Sequence, residues 1–426
     1  MPEPEHYVRA GGDENVDPDL DDAERVAAIR DVVEPWLSAV LQSEHLALLL
    51  GNGFTTAIAG LAQTAAPTMD AAFSGDLADR VETSAAASAT RLRRDRPNVE
   101  DRVRAALALI AGMTVLGEEE KAQQWRENVD EVLRALLTSV LACERGIDVA
   151  VRTEAEASGA RTLLVSFLLT FASRAASRER LNLFTTNYDR LVEYGCDLAG
   201  LRPLDRFVGA LEPVFRASRL EVDMHYNPPG IRGEPRYLEG VVRLTKIHGS
   251  LDWRWDADAL RRVSLPFGAS ADHPAVPDRP AEGLMIYPNP AKDVETLEHP
   301  YAELFRDFSA ALCRPNSALV VYGYGFGDDH VNRVLADMLT IPSTHLVVIS
   351  YDWSAGRLRS FLDANGRDEQ ISLLVGPKFA DLRTLVDSYL PKPAIDTISL
   401  RRAELLRRRA VPHGTDRGEA EAEAEA

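Results

Sequence analysis

Three polar side chains that could move a proton or orient a ligand follow two apolar runs of this chain. Asn187 and Asp189 come shortly after the run that ends at Phe184, and His248 directly follows the run 241–247. A histidine can accept a proton near neutral pH, while an amide and a carboxylate can hold a polar ligand. The plainer alternative is structural, since Asn187 or Asp189 could simply cap a helix. Together, the three residues predict a catalytic group.

Two glycine turns could hold the ligand on which such a group acts. Gly51-Asn52-Gly53 follows the apolar run 46–50, and Gly323-Tyr324-Gly325 follows the run 318–322. Glycines between a strand and a helix let backbone N–H groups approach a phosphate, and a nearby carboxylate can bind ribose hydroxyls. Either turn alone could be a plain connection, because the first lacks the full G-x-G-x-x-G pattern. The residues predicted to bind the ligand are Gly51, Asn52, Gly53, Phe54, Thr186, Gly323, Tyr324, Gly325 and Asp329.

The spacing of apolar residues predicts the elements that must position these groups. Strands are predicted at 46–50, 180–186, 241–247, 284–287, 318–322, 345–350 and 371–375, and helices at 22–42, 188–198, 301–313, 329–339, 354–364 and 379–390. Strands that alternate with helices indicate the α/β class with a doubly wound, Rossmann-like parallel sheet. Ligands of such sheets bind beyond the carboxyl ends of the strands, so the polar stretches are expected to meet in one crevice.

The same patterns predict the domain organisation. Residues 23–68 and 178–392 are expected to form the Rossmann-like domain, with a small irregular subdomain rich in Pro and Gly after residue 200. Helical spacing in 69–177 predicts a helical insertion. Low-complexity acidic stretches usually stay disordered, so 1–22 is expected to be a disordered leader and 393–426 a basic helix followed by a disordered acidic tail.

Composition excludes several classes of protein. The net charge of -18 over 426 residues argues against a broad nucleic-acid-binding face, so direct nucleic-acid binding is not expected. We find neither a secretion signal nor an apolar run approaching the roughly 18 residues of a membrane span, which predicts a cytoplasmic protein without a membrane partner. The three cysteines, Cys143, Cys196 and Cys313, are scattered, so they predict buried thiols and no zinc or other metal site.

In order and in placement, these stretches resemble the sirtuin superfamily, and more closely its bacterial anti-phage defence branch than the protein deacetylases. Gly51-Asn52-Gly53 stands where sirtuins carry Gly-Ala-Gly, Thr186-Asn187-Tyr188-Asp189 resembles their Gln-Asn-x-Asp element, and His248-Gly249 matches their catalytic His-Gly. Residues 321–332 are similar to the late glycine loop of the defence branch. The chain departs from the deacetylases in two ways, because it has no four-cysteine zinc module and it carries the long helical stretch.

The resemblance implies an enzyme that takes NAD as its substrate, a sirtuin-like NAD glycohydrolase that releases nicotinamide and linear or cyclised ADP-ribose. It implies that Asn187 orients a water or a ribose hydroxyl, Asp189 holds the ribose and nicotinamide pocket, and His248 accepts a proton. Chains of the defence branch often assemble with a ring-forming ATPase of the HerA type. A homo-oligomer and such a partner are therefore expected, with the helical insertion and the arginines of 401–409 as candidate surfaces.

Two other functions stay open at this point. The chain could be a sirtuin-type NAD-dependent deacylase or an ADP-ribosyltransferase, which would need an acceptor groove. It could also be a subunit of an ATPase complex that senses NAD or ADP-ribose without cleaving it. A nuclease finds no support, because the sequence shows no compact carboxylate cluster with a metal-site pattern.

Overall fold

The centre of the fold is built from apolar strands whose side chains point alternately to the two faces of the sheet. In strand His45–Leu50, Leu46, Leu48 and Leu50 pack into one hydrophobic cluster, while Ala47 and Leu49 pack into a second cluster on the opposite face. This follows from the two-residue period of a strand, and a run that is apolar on both faces requires helices above and below it. The computed structural model describes residues 3–68, 70, 72–92, 94, 96–153, 159–175, 178–218, 223–226, 236–256, 259–280 and 299–392.

The main sheet has nine strands, and seven of them run parallel. Their spatial order is β2-β1-β15-β14-β13-β3-β4-β10-β5, and every pair from β15 to β5 is parallel. The strands of the described chain are β1 Tyr7–Ala10, β2 Asp13–Val16, β3 His45–Leu50, β4 Asn182–Thr185, β5 Arg202–Leu204, β6 Phe207–Val208, β7 Val214–Phe215, β8 His225–Tyr226, β9 Arg236–Tyr237, β10 Val241–Lys246, β11 Trp253–Asp256, β12 Ala259–Arg262, β13 Ser317–Tyr322, β14 His345–Ser350 and β15 Ile371–Val375.

Helices cover both faces of this sheet. The longer helices are α1 Ala23–Leu41, α2 Asn52–Leu61, α3 Ala78–Arg91, α4 Val99–Val115, α5 Glu119–Arg152, α6 Ala160–Ala172, α7 Leu191–Ala199, α8 Tyr301–Leu312, α9 Asp329–Leu339 and α10 Arg357–Asn365. Helices α1, α2, α6 and α7 pack into the first cluster, and α8, α9 and α10 into the second. The predicted Rossmann-like, doubly wound α/β fold is confirmed. Within the described residues, no helix is long and apolar enough to cross a membrane.

The order of the strands reverses between β3 and β13. From β3 the chain proceeds to β4 and β10 on one side, and it later crosses to β13, β14 and β15 on the other side. Such a switch point opens a crevice at the carboxyl ends of its two strands, and this crevice is where open α/β sheets bind ligands. The turns that follow β3 and β13 are the two glycine turns.

The helices α3, α4 and α5 form a third hydrophobic cluster beside this crevice. Val103 of α4 and Leu133 of α5 are buried in it, and so are Tyr188 and Leu251, which follow β4 and β10 at the carboxyl edge of the sheet. Each fully buried aliphatic side chain of this kind contributes about 1.5–3 kcal/mol to stability. These helices therefore pack directly against the segments that carry the predicted site. The boundaries of the helical insertion stay a prediction.

A four-stranded sheet of order β11-β12-β7-β6 occupies part of the stretch that was expected to be irregular. Trp253 is buried there against Phe207, Phe215 and Leu260, whereas Trp255 is exposed. Strands β11 and β12 pair in an antiparallel register in which Trp253 lies opposite Arg262. This register places the apolar side chains of Trp253 and Leu260 on the same face.

The structure differs from the prediction of a disordered leader. Tyr7, Val8 and Ala10 are buried, and β1 pairs antiparallel with β15 on one side and with β2 on the other. These apolar residues interrupt the acidic stretch and complete the open edge of the sheet, while the Tyr7 hydroxyl donates to Glu14 at 2.7 Å. The apolar alternation was hidden by the surrounding charge.

The predicted closing helix at 379–390 is replaced by three short pieces. They are Pro377–Ala380, Leu382–Thr384 and a π-helical turn at Leu385–Tyr389. The break occurs at Asp381, whose extended backbone lets its carboxylate cap the N–H of Thr384. The predicted strand at 284–287 lies outside the described residues. The chain divides into units 1–391 and 392–426, and of the second only Lys392 is described.

Candidate functional site

A cavity of about 390 Å³ lies at the switch point of the sheet. Its volume falls in the range of about 300–1,000 Å³ that is typical of small-molecule sites. Its wall combines the ends of four parallel strands with the segment that joins α3 to α4. The residues that line the cavity include Asn52, Gly53, Leu92, Arg94, Asn98, Glu100, Arg104, Thr186, Asn187, Tyr188, Asp189, His248, Gly323, Tyr324, Gly325, Gly327, Asp328 and Arg357.

The two glycine turns pack against each other at the base of this cavity. The N–H of Gly53 donates to the carbonyl of Gly323 at 2.9 Å. A Cβ atom on Gly51 would lie 2.5 Å from the Gly323 oxygen, and one on Gly323 would lie 2.7 Å from the Cα of Gly53. Gly323 also has a φ of +67°, which favours glycine. The glycines are therefore needed for this backbone contact, whatever they contribute to ligand binding.

A single threonine joins the two predicted polar residues that follow β4. The Thr55 hydroxyl donates to Oδ2 of Asp189 at 2.7 Å, and it accepts from Nδ2 of Asn187 at 3.0 Å. Nδ2 of Asn187 also donates to the carbonyl of Gly51 at 3.0 Å. The other carboxylate oxygen of Asp189 accepts from the N–H of Leu191 at the start of α7. All three side chains are buried, so the chain of hydrogen bonds holds both site residues in one orientation.

This network also fixes which way the Asn187 amide points. The hydroxyl of Thr55 has one hydrogen, which it donates to Asp189, so it can only accept from Asn187. The Gly51 carbonyl likewise can only accept. Both hydrogens of Nδ2 are thereby used. Within the described part of the chain, no group donates to Oδ1 of Asn187, and this oxygen is the atom left for a ligand or water in the cavity.

His248 lies beside the carboxylate of Asp328, which follows β13. Its Nε2 atom is 2.8 Å from Oδ2 of Asp328, an ion-pair distance, although the ring is not aligned for a hydrogen bond among the described residues. The other oxygen of Asp328 accepts from the N–H groups of His330 and Val331 and caps α9. The carboxylate is thus held by a helix N-terminus, and it can stabilise a positive charge on the imidazole ring.

Tyr188 and Glu100 connect helix α4 to the segment that carries the predicted site residues. The Tyr188 hydroxyl donates to Oε1 of Glu100 at 2.7 Å, and the Tyr188 ring centre lies 6.4 Å from that of His248. Burial, reinforced by the charge of Glu100, raises the pKa of Tyr188 well above its usual value. Tyr188 therefore stays protonated and keeps donating to Glu100 at physiological pH.

Three arginines also line the cavity. Arg94 and Arg104 come from the segment around the start of α4, and Arg357 begins α10. Arg94 donates to the buried carboxylate of Asp101 at 2.5 Å, and Nε of Arg357 donates to the carbonyl of Gly325 at 2.7 Å. The wall thus carries positive charge, although the chain as a whole is strongly acidic.

Most of the predicted site residues meet in this cavity. Its lining includes Asn52, Gly53, Thr186, Asn187, Asp189, His248, Gly323, Tyr324 and Gly325. Gly51 contributes through its carbonyl, which accepts from Asn187. Two of the residues predicted to bind the ligand, Phe54 and Asp329, do not line the cavity. Phe54 is fully buried in the core against the rings of Phe167 and Tyr322.

The acidic residue that the segment after β13 contributes to the cavity is Asp328 rather than the predicted Asp329. Asp329 is the first residue of α9, is exposed and does not line this cavity. The capping role of Asp328 turns its side chain back toward the glycine turn, and a spacing pattern cannot distinguish two adjacent carboxylates. The other residues that sequence analysis missed are Thr55, Arg94, Glu100, Arg104 and Arg357. Nothing in the sequence around the start of α4 linked that segment to the site.

Metal ligands and thiols are the remaining groups to consider among the residues that the structure describes. Over these residues no group of three His, Cys, Asp or Glu side chains could hold a metal ion, and the expected absence of zinc stays a prediction. Burial raises the pKa of Cys143 and of Cys196 to about 12, so both thiols are protonated and unreactive at neutral pH. The predicted burial holds for these two, while Cys313 is only partly buried.

A family model described as the SIR2-like domain matches residues 181–368. The matched part contains Asn187, Asp189, His248 and the glycine turn after β13, but it begins after the turn at Gly51. No curated protein matches the chain. The match supports the resemblance to the sirtuin-like superfamily and is consistent with an enzyme that processes NAD.

Proposed function

We propose that this chain is an NAD glycohydrolase, which cleaves the bond between nicotinamide and ribose and releases nicotinamide and ADP-ribose. One observation carries the proposal. Asn187, Asp189 and His248, from the ends of two parallel strands, line one cavity with both glycine turns of the switch point. The SIR2-like match over 181–368 supports NAD as the substrate, and binding at a switch point is the rule for nucleotides in sheets of this kind.

The chemistry of the leaving group defines what the protein has to supply. Nicotinamide is cationic in NAD and leaves as a neutral molecule, so cleavage needs no strong general acid. It needs stabilisation of a positively charged ribosyl centre and a correctly placed nucleophile. The carboxylate of Asp189 is fixed by Thr55 and by the N–H of Leu191, and it is suited to the first task.

Asn187 and His248 are suited to the second task. The free Oδ1 atom of Asn187 can accept a hydrogen bond from the attacking water or hydroxyl, because both hydrogens of Nδ2 are used by Gly51 and Thr55. His248 can then accept the proton that the nucleophile loses. Asp328, 2.8 Å from the ring, stabilises the imidazolium that forms.

An assay of NAD consumption by the full chain tests the proposal. Nicotinamide release, followed by liquid chromatography, should fall about a hundredfold or more in Asn187→Ala and in His248→Ala, a typical loss for a positioned acid–base group. His225→Ala changes an exposed histidine on β8 and serves as the matched control. Circular dichroism should show that all variants are folded. Full NAD cleavage by the two folded site variants would overturn the assignment.

The same assay separates the two alternatives. Addition of an acetylated peptide would accelerate nicotinamide release and yield a deacetylated product if the chain were a deacylase, and a modified acceptor would indicate an ADP-ribosyltransferase. A sensing subunit would bind NAD or ADP-ribose, as measured by calorimetry, without release of nicotinamide.

The role in anti-phage defence and the assembly are further proposals that follow from the resemblance. We expect a homo-oligomer that binds a ring-forming ATPase of the HerA type. Size-exclusion chromatography with light scattering, on the chain alone and mixed with such an ATPase, would give the masses of both assemblies. Nicotinamide release measured in the same fractions would show whether the partner activates the enzyme. A monomeric chain that never co-elutes with the ATPase would contradict this part.

A further inference from the structure

We propose that Arg94 and Arg104 form a clamp for the diphosphate group of the ligand, at a subsite built by the helical region rather than by the sheet. The inference rests on the proposed function in one respect, since it takes the ligand of this cavity to be a dinucleotide or its ADP-ribose product. It assigns the recognition of negative charge to Arg94, which precedes α4, and to Arg104, which lies in the second turn of that helix.

The position of the two arginines is the first argument. Both line the cavity, and Arg94 reaches the glycine turn that follows β13. A Cβ atom added to Gly327 would lie 3.9 Å from Cδ of Arg94 and 3.8 Å from Nε of Arg357. Arg94 and Arg357 therefore flank the same turn, from the helical region and from α10 respectively. A ligand resting on this turn would meet both guanidinium groups.

The balance of charge is the second argument. Arg94 and Arg104 share one carboxylate, Asp101, whose Oδ1 atom is 2.5 Å from Arg94 and 3.9 Å from Arg104. The second oxygen of Asp101 accepts from the N–H of Asn98 and completes the capping box of α4. Two fixed positive charges thus face one negative charge, and the side chain of Asp101 is fully buried behind them.

The unused donors are the third argument. Nε of Arg94 and Nε of Arg104 are buried, and neither has a hydrogen-bond partner within the described ranges. Nη1 of Arg104 donates to Ser88 at 3.0 Å, which holds this side chain in place. Buried donors without acceptors are costly and are normally matched by a ligand or water. A phosphate offers several acceptor oxygens with the spacing that a guanidinium fork recognises.

The carboxylates on the same wall do not cancel this charge. Glu100 accepts from Tyr188, Asp328 caps α9 and lies against His248, and Asp189 accepts from Thr55. Each is engaged with a partner of its own on the side of the catalytic residues. The arginines consequently favour the anionic part of the ligand, whereas the carboxylates favour the ribose and the cationic ring.

Binding of phosphate-containing and phosphate-free ligands by the full chain tests the clamp. Isothermal calorimetry with ADP-ribose, ADP and adenosine should show that Arg94→Gln and Arg104→Gln each weaken the first two ligands about tenfold or more, in keeping with lost charge-assisted hydrogen bonds. Adenosine affinity should change less than twofold. Arg96→Gln, an exposed arginine on the same segment, is the matched control and should leave all three affinities unchanged.

Conservative variants keep the test independent of folding. Arg94→Lys and Arg104→Lys retain the charge but lose the fork, so they should recover part of the ADP affinity. In the cleavage assay the Gln variants should raise KM for NAD with little change in kcat. Wild-type affinity for ADP in folded Gln variants would overturn the clamp, as would an equal loss of ADP and adenosine binding.

These outcomes are distinct from failure of the proposed function. If the wild-type chain binds ADP-ribose through these arginines but releases no nicotinamide, the glycohydrolase assignment fails and the clamp stands. If the Gln variants cleave NAD with an unchanged KM, the clamp fails and the glycohydrolase assignment stands.

Discussion

At the scale of single residues, Thr55 links two residues of the site, because it contacts both Asn187 and Asp189. Thr55→Val keeps the shape of the side chain but removes the hydroxyl. Buried polar atoms of Asn187 and Asp189 then lose a partner, which should lower the free energy of unfolding by about 1–3 kcal/mol. The kcat for NAD should fall at least about tenfold, since the Asn187 amide is no longer held.

The matched control for this change is the next residue of α2. Thr56 is exposed, and its hydroxyl bonds only back to the carbonyl of Asn52 within the helix. Thr56→Val should change the free energy of unfolding by less than about 0.5 kcal/mol and leave kcat intact. Urea titration and nicotinamide release measure the two quantities. Equal behaviour of the two valine variants would disprove the bridging role of Thr55.

The contact between the glycine turns leads to a second prediction at this scale. Gly323→Ala places a methyl group 2.7 Å from the Gly53 Cα and forces alanine into a left-handed backbone, which alone costs about 1–2 kcal/mol. We expect a total loss of more than about 2 kcal/mol and a strongly reduced activity. Gly60→Ala is the control, because it has open space and sits in α2, where alanine should stabilise by up to about 1 kcal/mol. Chemical denaturation of both variants measures the two changes in the free energy of unfolding, and equal stability of the two variants would contradict the prediction.

Local patterns could predict the candidate site residues but not the residues that hold them in place. Asn187 and His248 stand at the ends of apolar runs, so their meeting at one edge follows from the sheet alone. Thr55 gave no such signal, because its importance depends on a contact across 134 positions of sequence with Asp189. Arg94 is a similar case, since its place at the cavity depends on how α3 and α4 pack.

At the scale of elements, the N-terminus of α4 joins helix stability to the site. The side chain of Asn98 accepts from the N–H of Asp101, and Asp101 in turn accepts from the N–H of Asn98 and holds Arg94. Asn98→Ala should therefore destabilise the chain by about 1 kcal/mol, the usual value of such a cap. It should also raise KM for NAD, because Asp101 and Arg94 lose their fixed position.

A cap elsewhere in the chain provides the comparison. Asp22 accepts from the N–H of Glu24 at the start of α1, and it does not line the cavity. Asp22→Ala should cost a similar free energy of unfolding without any change in KM. Thermal melting and steady-state kinetics on both variants test this pair. If both raise KM alike, the effect of Asn98 is one of general stability.

Elements with a strong period could be predicted almost to the residue, as α9 and the strand His345–Ser350 show. The exceptions have physical causes. The pairing of β1 with β15 is a contact between the two ends of the described chain, which no local window contains. The helix expected at 379–390 fails at Asp381, because a capping carboxylate competes with helix continuation.

At the scale of the whole molecule, one partly buried histidine, His345, predicts a dependence of stability on pH. Burial lowers the pKa of His345 from 6.5 to about 4. The unfolded chain therefore binds a proton more readily, and the stabilisation is fully present above about pH 6.5 and is lost as the pH falls toward 4. Between pH 7 and pH 5 this residue should lower the free energy of unfolding by up to about 2 kcal/mol.

His345→Gln should remove that part of the pH dependence, because glutamine does not titrate. The comparison is the difference between wild type and variant in urea unfolding at pH 5 and at pH 7, which cancels the contribution of other groups. His225→Ala should leave the wild-type difference intact, since His225 is exposed. An identical loss of stability on acidification in wild type and His345→Gln would contradict the prediction.

The overall architecture was accessible from sequence because strand and helix alternate so regularly. The position of the helical region was not, because the periodic apolar face of a helix such as α5 predicts that the face is buried but not which part of the sheet it packs against. Which wall of the cavity this region would form is a matter of three-dimensional packing.

The ion pair between Glu144 and Arg190 links helix α5 to the residue that follows Asp189. Oε1 of Glu144 accepts from the N–H of Arg190 at 2.8 Å, and its carboxylate is buried against the guanidinium. The backbone next to Asp189 is thus anchored to the C-terminal half of α5, a helix about 50 Å long. A subunit that docked on α5 and displaced it would therefore be expected to move Asp189, the carboxylate that we propose holds the ribose.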